Sequence, residues 1–269
     1  MQTSQDRWFL LGDLHGEAAP IDLFYWDNRD RLNLDDGNNH IILLGDVGAN
    51  FGLKGLRDQR FKKALSQYPF TYICLRGNHE ARVQNVINGN PRGWKQEHKY
   101  GGTIYVENKY PKIEYLSDVP AVYEFAGYKT LSIPGAYSVD KWYRLSHKWT
   151  WFADEQLTEE EMELGRVLKK TEAPFDLVIS HTCPWFYMPT DLFLPGLDQS
   201  TVDNTMERYL GELEYDLDYK RWAWGHYHAD RLYPWVDGKE KLMLFNEKVV
   251  DLRKFMEMRE TGTLREILA

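Results

Sequence analysis

Eight side chains able to bind metal ions stand in five short motifs along this chain: Asp13-Leu14-His15, Asp46, Asn78-His79, His181 and His226-Tyr227-His228. Their donor types suit borderline divalent cations. Carboxylate, amide and imidazole ligands match Mn, Fe or Zn, and the lack of thiolates among them argues against a structural zinc knot. Seven of them, Asp13, His15, Asp46, Asn78, His181, His226 and His228, overfill one coordination sphere. Two ions about 3.5–4 Å apart can instead share one carboxylate and clamp both the attacking and the leaving oxygens of an in-line displacement. Asp46 is the candidate bridge. A hydroxide held between two cations is a nucleophile at neutral pH, which leaves His79 as the group free to protonate the departing oxygen. Arg76, two residues before Asn78, is placed to hold a phosphate by a bidentate contact.

Such distant residues need a frame that gathers them at one rim. Asp13 follows the apolar run Trp8-Phe9-Leu10-Leu11, Asp46 follows Ile41-Ile42-Leu43-Leu44, and Asn78 follows Tyr72-Ile73-Cys74-Leu75. Short apolar runs ending in glycine read as buried strands, and an α/β sheet presents its binding groups just past the carboxyl ends of its strands. Helical patterns cover 17–36, 53–67, 153–169 and 200–213, and further strands are expected at 128–133, 175–180, 242–245 and 248–251, with a charged, helical tail. This alternation favours α/β. Turn residues at 88–93 and Gly101-Gly102 mark 88–112 as an excursion over the rim. No linker divides the chain, so the expectation is a single domain over 1–269 with rim insertions near 88–112 and 135–152, and with substrate choice resting on these and on 185–205.

Composition narrows the partners. The 269 residues are 43% hydrophobic, enough for a sizeable core. With 33 basic against 41 acidic residues and a formal charge of −8, an extended nucleic-acid footprint is disfavoured, because such binding rests on phosphate neutralisation by Lys and Arg. No apolar stretch approaches the roughly 20 residues of a membrane span, and residues 1–7 lack a signal-peptide pattern, so a soluble cytoplasmic protein is expected. The two cysteines, Cys74 and Cys183, read as free thiols rather than a disulfide framework.

Taken in order, Gly-Asp-x-His-Gly, Gly-Asp, Gly-Asn-His-Glu, a strand-terminal His and Gly-His-x-His resemble the calcineurin-like metallophosphoesterase superfamily, over a span from Asp13 to His228. Five motifs in the right order after the right strands are far more specific than any one of them. The resemblance implies an α/β fold, a four-layer αββα sandwich of two mixed β-sheets flanked by helices. It implies one metal on Asp13, His15, Asp46 and His228, a second on Asp46, Asn78, His181 and His226, and His79 as the acid that is not a ligand. Leu75-Arg76-Gly77-Asn78-His79-Glu80 is similar to the phosphoprotein phosphatase branch, in which the matching arginine binds phosphate. That branch continues its second motif with Gly-Asp-x-x-Asp-Arg-Gly, but here Ala49 and Asn50 replace the pair. The orienting of His79 and part of the phosphate grip must then come from elsewhere. The tract 133–144 resembles one in bacterial and phage metallophosphoesterases, which puts Tyr137, Asp140, Lys141 and Arg144 on the substrate side.

Blander readings accompany each assignment. An Asp after a strand and a glycine is usually a turn former or cap, His181 alone reads as an ordinary strand-end histidine, Arg76 could pair with a carboxylate, and Cys183 is a small buried thiol rather than a soft ligand. Trp142, Tyr143, Trp149, Trp151 and Phe152 read first as packed core and second as a wall beside the metals able to stack a nucleobase. The expectation from the whole is a dinuclear metal-dependent phosphomonoesterase acting on a phosphorylated small molecule or phosphoprotein. A phosphodiesterase acting on nucleotides or nucleic-acid ends, and a catalytically silent metal-binding interaction module, are the alternatives.

Overall fold

The computed structural model describes residues 6–53, 56–193, 200–236 and 238–269. The first half runs β1 (Arg7–Leu11), α1 (Ala19–Leu32), β2 (Asn39–Leu43), α2 (Arg57–Leu65), β3 (Phe70–Cys74), α3 (Val83–Gly89), β4 (Trp94–Lys99), β5 (Gly102–Glu107) and β6 (Ile113–Tyr115). Then follow β7 (Ala121–Phe125), β8 (Tyr128–Ile133), α4 (Lys141–Ser146), α5 (Glu159–Glu172), β9 (Phe175–Ser180), α6 (Thr205–Glu214) and β10 (Tyr219–Trp224). The chain closes with β11 (Arg231–Val236), β12 (Lys239–Met243), β13 (Val250–Asp251), α7 (Leu252–Glu257) and α8 (Leu264–Ile267).

These elements build two mixed sheets, ordered β13-β1-β2-β3-β6-β5-β4 and β11-β12-β10-β9-β8-β7. Alternation along each strand decides the layers. Trp8, Leu10, Ile42, Leu44, Ile73 and Leu75 of the first sheet meet Tyr123, Phe125, Leu177, Ile179, Ala223 and Leu242 of the second in one buried cluster. Phe9, Leu11, Ile41 and Leu43 point the other way, onto Ile21 and Phe24 of α1 and Phe61 and Leu65 of α2. Leu131, Ile133, Trp222 and Trp224 pack outward from the second sheet against Met162 of α5 and Met206, Leu210 and Leu213 of α6. Each large apolar side chain so buried contributes on the order of 1.5–3 kcal/mol. The result is the expected sandwich of two sheets between helical layers.

Strand register sets the height of the rim. β1, β2 and β3 are parallel neighbours with Leu11 level with Leu43 and Leu43 level with Cys74, so the loops carrying Asp13, Asp46 and Asn78 leave side by side. β9 and β10 are also parallel, with Ile179 opposite Ala223, and they deliver His181 and His226 from the second sheet.

Two expectations change. The segment 88–112 is chiefly a hairpin: β4 pairs antiparallel with β5, and β5 with β6, extending the first sheet. Ile104 and Val106 enter the intersheet core, so apolar alternation around a Gly-Gly turn, rather than a rim loop, governs this stretch. The helix expected over 153–169 is displaced to Glu159–Glu172, because Thr158 caps it: Glu161 N–H donates to Thr158 Oγ1 at 3.3 Å and Thr158 N–H to Glu161 Oε2 at 2.9 Å. Of the expected rim stretch 185–205, residues 194–199 lie outside the described residues, as do residues 1–5. No helix among the described residues is long and apolar enough to cross a membrane.

Candidate metal centre

The seven sequence-predicted ligands converge between the two sheets. Asp13 is fully buried, and both its oxygens accept the His226 backbone N–H, at 3.0 and 3.1 Å. Its Oδ2 lies 3.5 Å from His228 Nε2 and 3.9 Å from His15 Nε2, and those two imidazole nitrogens are 2.9 Å apart. Asp46 stands between this group and the next: Oδ2 is 3.9 Å from His15 Nε2, while Oδ1 is 3.4 Å from His181 Nε2. His181 Nδ1 donates to the Leu44 carbonyl at 2.7 Å, fixing its tautomer and aiming Nε2 at Asn78 Oδ1, 2.9 Å away. The His226 ring lies 5.0 Å from that of His181.

The backbone is bent to make this possible. His15, Asp46, His226 and His228 have φ of 50°, 48°, 71° and 50°, the left-handed region that non-glycine residues rarely enter. Each such residue costs on the order of 1–3 kcal/mol, and such strain clusters at functional sites. Two glycines let the donors close up. A Cβ on Gly77 would sit 2.1 Å from Asp46 Oδ1, and one on Gly45 would sit 2.1 Å from His181 Nδ1.

Packing so many titratable groups together sets them against one another. Burial, opposed by His181 and reinforced by Asp46, pushes Asp13 up to about 7. His15 is pushed down to about 4, chiefly by burial. Burial also works against charge on His181, yet the Asp46 and Asp13 carboxylates outweigh it and hold that imidazole up at about 9. A divalent cation resolves this conflict, because it neutralises both carboxylates and uses the imidazoles in their neutral form. The donor set therefore fits two cations, with Asp46 reaching both groups.

A supporting layer escaped the sequence reading. Asn78 Nδ2 donates to Ser138 Oγ at 2.9 Å, and Ser138 Oγ in turn donates to Glu155 Oε2 at 2.5 Å. This orients the amide so that its oxygen faces His181. Glu80, buried, accepts from Gly48 N–H at 3.0 Å and from Gly77 N–H at 3.3 Å, which ties the loops after β2 and β3 together. The tract 133–144 contains Ser138, but nothing in the sequence pairs it with Asn78.

His79 faces an open cleft of about 780 Å³ whose lining includes His15, Phe51, Arg57, Asp140, Arg144 and Trp149. Its Nδ1 is 3.9 Å from Asp46 Oδ2, and its Nε2 is 3.8 Å from Asp140 Oδ1. Arg144 Nη2 lies 3.1 Å from each ring nitrogen. Arg144 is itself held, since its Nε donates to Asp140 Oδ2 at 2.7 Å and its Nη1 to the Thr150 carbonyl at 3.2 Å. Thus α4 and the Asp140 that precedes it bring a guanidinium and a carboxylate to His79, supplying the charges that Ala49 and Asn50 cannot.

Arg76 is not where the sequence suggested. It is buried away from the cleft, donating from Nη1 to the Glu155 carbonyl at 2.7 Å with its Nε 3.5 Å from Asp118 Oδ1. Arg76 lines instead a small pocket that it shares with Asn50, Glu80 and Asp118. Tyr137 is buried, and Lys141 Nζ rests over the Trp151 ring at 4.4 Å; neither lines the cleft. Of the residues expected on the substrate side, Asp140 and Arg144 line it and Arg76, Tyr137 and Lys141 do not. Cys183 is buried, with Sγ 3.5 Å from Tyr227 Oη. Trp149 borders the cleft, whereas Trp142, Tyr143, Trp151 and Phe152 do not line it.

Comparison with known proteins gives the family and the fold. The family described as calcineurin-like phosphoesterase has a model that matches residues 7–230. Among solved structures, the chain is similar to TT1561 of Thermus thermophilus, at 13% identity and a TM-score of 0.51 over 93% of this chain and 96% of that one. It is also similar to a dimetal phosphatase from Danio rerio, at 9% identity and a TM-score of 0.48, covering 92% and 93%. No curated protein matches it. The chain belongs to the calcineurin-like phosphoesterase family, a dinuclear metal-dependent family, and it is a metal-dependent phosphoester hydrolase.

Proposed function

We propose that this calcineurin-like phosphoesterase is a phosphomonoesterase, acting on a phosphorylated small molecule or phosphoprotein by direct displacement at phosphorus without a covalent phosphoenzyme. The observation that carries the reading is Arg144, whose guanidinium lies 3.1 Å from the His79 ring nitrogens on the wall of the cleft. A monoester presents charged oxygens beyond those that two cations can engage, and a fixed arginine fork next to the acid is the group that answers them.

Asp13, His15, Asp46 and His228 would hold one divalent cation, and Asp46, Asn78, His181 and His226 the other, with Mn, Fe or Zn suited to these donors. When bound, the cations supply positive charge to the phosphoryl oxygens and make water acidic enough to attack at neutral pH. The chain's own residues do the rest. Arg144 binds a phosphoryl oxygen and fixes the ester relative to His79. Asp140 orients Arg144 through Nε and stands 3.8 Å from His79 Nε2, so one carboxylate holds both groups. His79, tied through its backbone N–H to Asp46 Oδ1 at 2.8 Å, carries the proton delivered to the leaving oxygen. Ser138 and Glu155 keep Asn78 turned inward.

The test is hydrolysis of matched aryl phosphomonoester and phosphodiester substrates by metal-stripped protein reloaded with Mn, Fe or Zn. Monoester turnover is expected to predominate, to vanish in Asp46→Asn, and to fall by about 10²–10³-fold in His79→Ala. Arg144→Ala is expected to reduce kcat/KM for the monoester far more than for the diester. Diester preference, or equal losses on the two substrates, overturns the monoesterase reading. Two tightly bound ions with no turnover would point to an interaction module.

A further inference from the structure

The cleft holds more positive charge than one phosphoryl group requires. Arg57 and Lys148 line it together with Arg144 and His79. Arg144 is paired with Asp140, but neither Arg57 nor Lys148 forms an ion pair among the described residues, although other surface arginines such as Arg29, Arg166 and Arg231 do. In a chain of net charge −8, two cations that have no ion-pair partner among the described residues and line one cleft concentrate positive charge there. Arg57 is also placed rather than loose: its Cζ lies 4.8 Å from the centroid of the Phe51 ring, which Arg144 approaches at 5.8 Å, and its Nη2 donates to the His15 carbonyl at 3.3 Å. Phe51 thus sets two guanidinium groups on the same wall.

Beside them Trp149 is 55% exposed. Its indole is braced edge-on by Tyr143, with ring centres 5.4 Å apart at 84°, and by His147 at 5.7 Å. A braced but uncovered indole in a cleft of about 780 Å³, within the ordinary range for small-molecule sites, is a platform for a flat ring.

Resting on the monoesterase reading, we propose that the substrate is a small phosphomonoester whose leaving portion carries a second anionic group, bound by Arg57 and Lys148, and a planar ring, stacked on Trp149. Arg144 and His79 receive the phosphate that is cleaved, and Arg57 and Lys148, lining the same cleft, receive the charge that is kept.

The experiment measures equilibrium binding to metal-loaded His79→Ala protein, which holds ligand without rapid turnover, for ribose phosphate, adenosine monophosphate and adenosine bisphosphate. Affinity is expected to rise by about tenfold when the ring is added and by about tenfold again with the second phosphate. In the Arg57→Gln/Lys148→Gln variant the step from monophosphate to bisphosphate collapses to about one, and in Trp149→Leu the ring step collapses instead. Metal content and Tm equal to the parent protein confirm that these rim variants are folded. Equal affinity for all three ligands, or steps unchanged in the variants, overturns the proposal. So does a phosphopeptide that binds more tightly than adenosine bisphosphate through the same two cations. Because binding is read without turnover, an intact ladder in a protein that hydrolyses no monoester would defeat the monoesterase reading and leave the subsite standing.

Discussion

Replacing Gly77 by alanine isolates the geometry of the metal centre from its chemistry, since no donor is removed. The added Cβ would stand 2.1 Å from Asp46 Oδ1, 2.4 Å from the Asp46 backbone nitrogen and 2.8 Å from Asp46 Cγ, where ordinary contact begins at 3.4 Å. The Asp46 carboxylate, its backbone, or the Asn78 loop must therefore retreat by roughly 1 Å, and displacement on that scale at a reacting centre costs about 10²-fold in rate. Overpacking of this kind also destabilises by about 1–3 kcal/mol. Metal content by mass spectrometry, kcat/KM for an aryl phosphomonoester and Tm would be measured on the same preparations. Gly77→Ala is expected to lose metal and at least about 10²-fold in kcat/KM, whereas Gly89→Ala, with nothing within 4 Å of the new methyl, leaves all three readouts unchanged. Two ions per chain and parental kcat/KM in Gly77→Ala would refute the placement of Asp46 at the centre of the site.

Two further expectations concern stability. Metal-stripped protein supplied with free Mn or Zn at about 100-fold above Kd should gain about 2.7 kcal/mol per site, a rise in Tm of roughly 5–10 °C; calorimetry showing no rise, or the same rise in Asp46→Asn, would count against the cage. Glu240 is buried with Oε2 3.3 Å from Arg221 Nε, and burial, opposed by that arginine, pushes its carboxyl from 4.5 up to about 7. A raised carboxyl pKa means that the folded state keeps its proton longer than the unfolded one, so this group's contribution to stability falls as pH climbs from about 4.5 to about 7, by at most about 3 kcal/mol. Glu240→Gln should flatten that part of the Tm-against-pH curve, and an unchanged curve would refute the assignment.

The ligands were legible because each sits within a few residues of a strong local signal. Asp13, Asp46 and Asn78 follow apolar runs that could only be buried strands, and strand ends in a parallel sheet open at one edge. The hairpin of β4 and β5 was obscured because Trp94–Lys99 is largely polar and half-exposed, so only Ile104 and Val106 on its partner carried a period of two. Arg76 misled through nearness in sequence: the residue two positions before Asn78 is buried past its strand end, where Glu155 and Asp118 claim it. An arginine that does line the cleft, Arg144, meets His79 across 65 positions of sequence through a short helix whose packing no local pattern encodes. Asp140, expected on the substrate side, lines the cleft and also reaches both Arg144 and His79.

The placing of donors on both sheets also imposes an order on biosynthesis. His15 and His228 touch across 213 positions of sequence, so at about 5–20 residues per second a ribosome needs roughly 10–40 s to go from one to the other. For part of that interval, the 103 positions from Asn78 to His181 or roughly 5–20 s, Asp13, His15, Asp46 and Asn78 exist without His181, His226 or His228. A nascent chain therefore holds an oxygen-rich donor set before it holds most of the imidazoles that complete it.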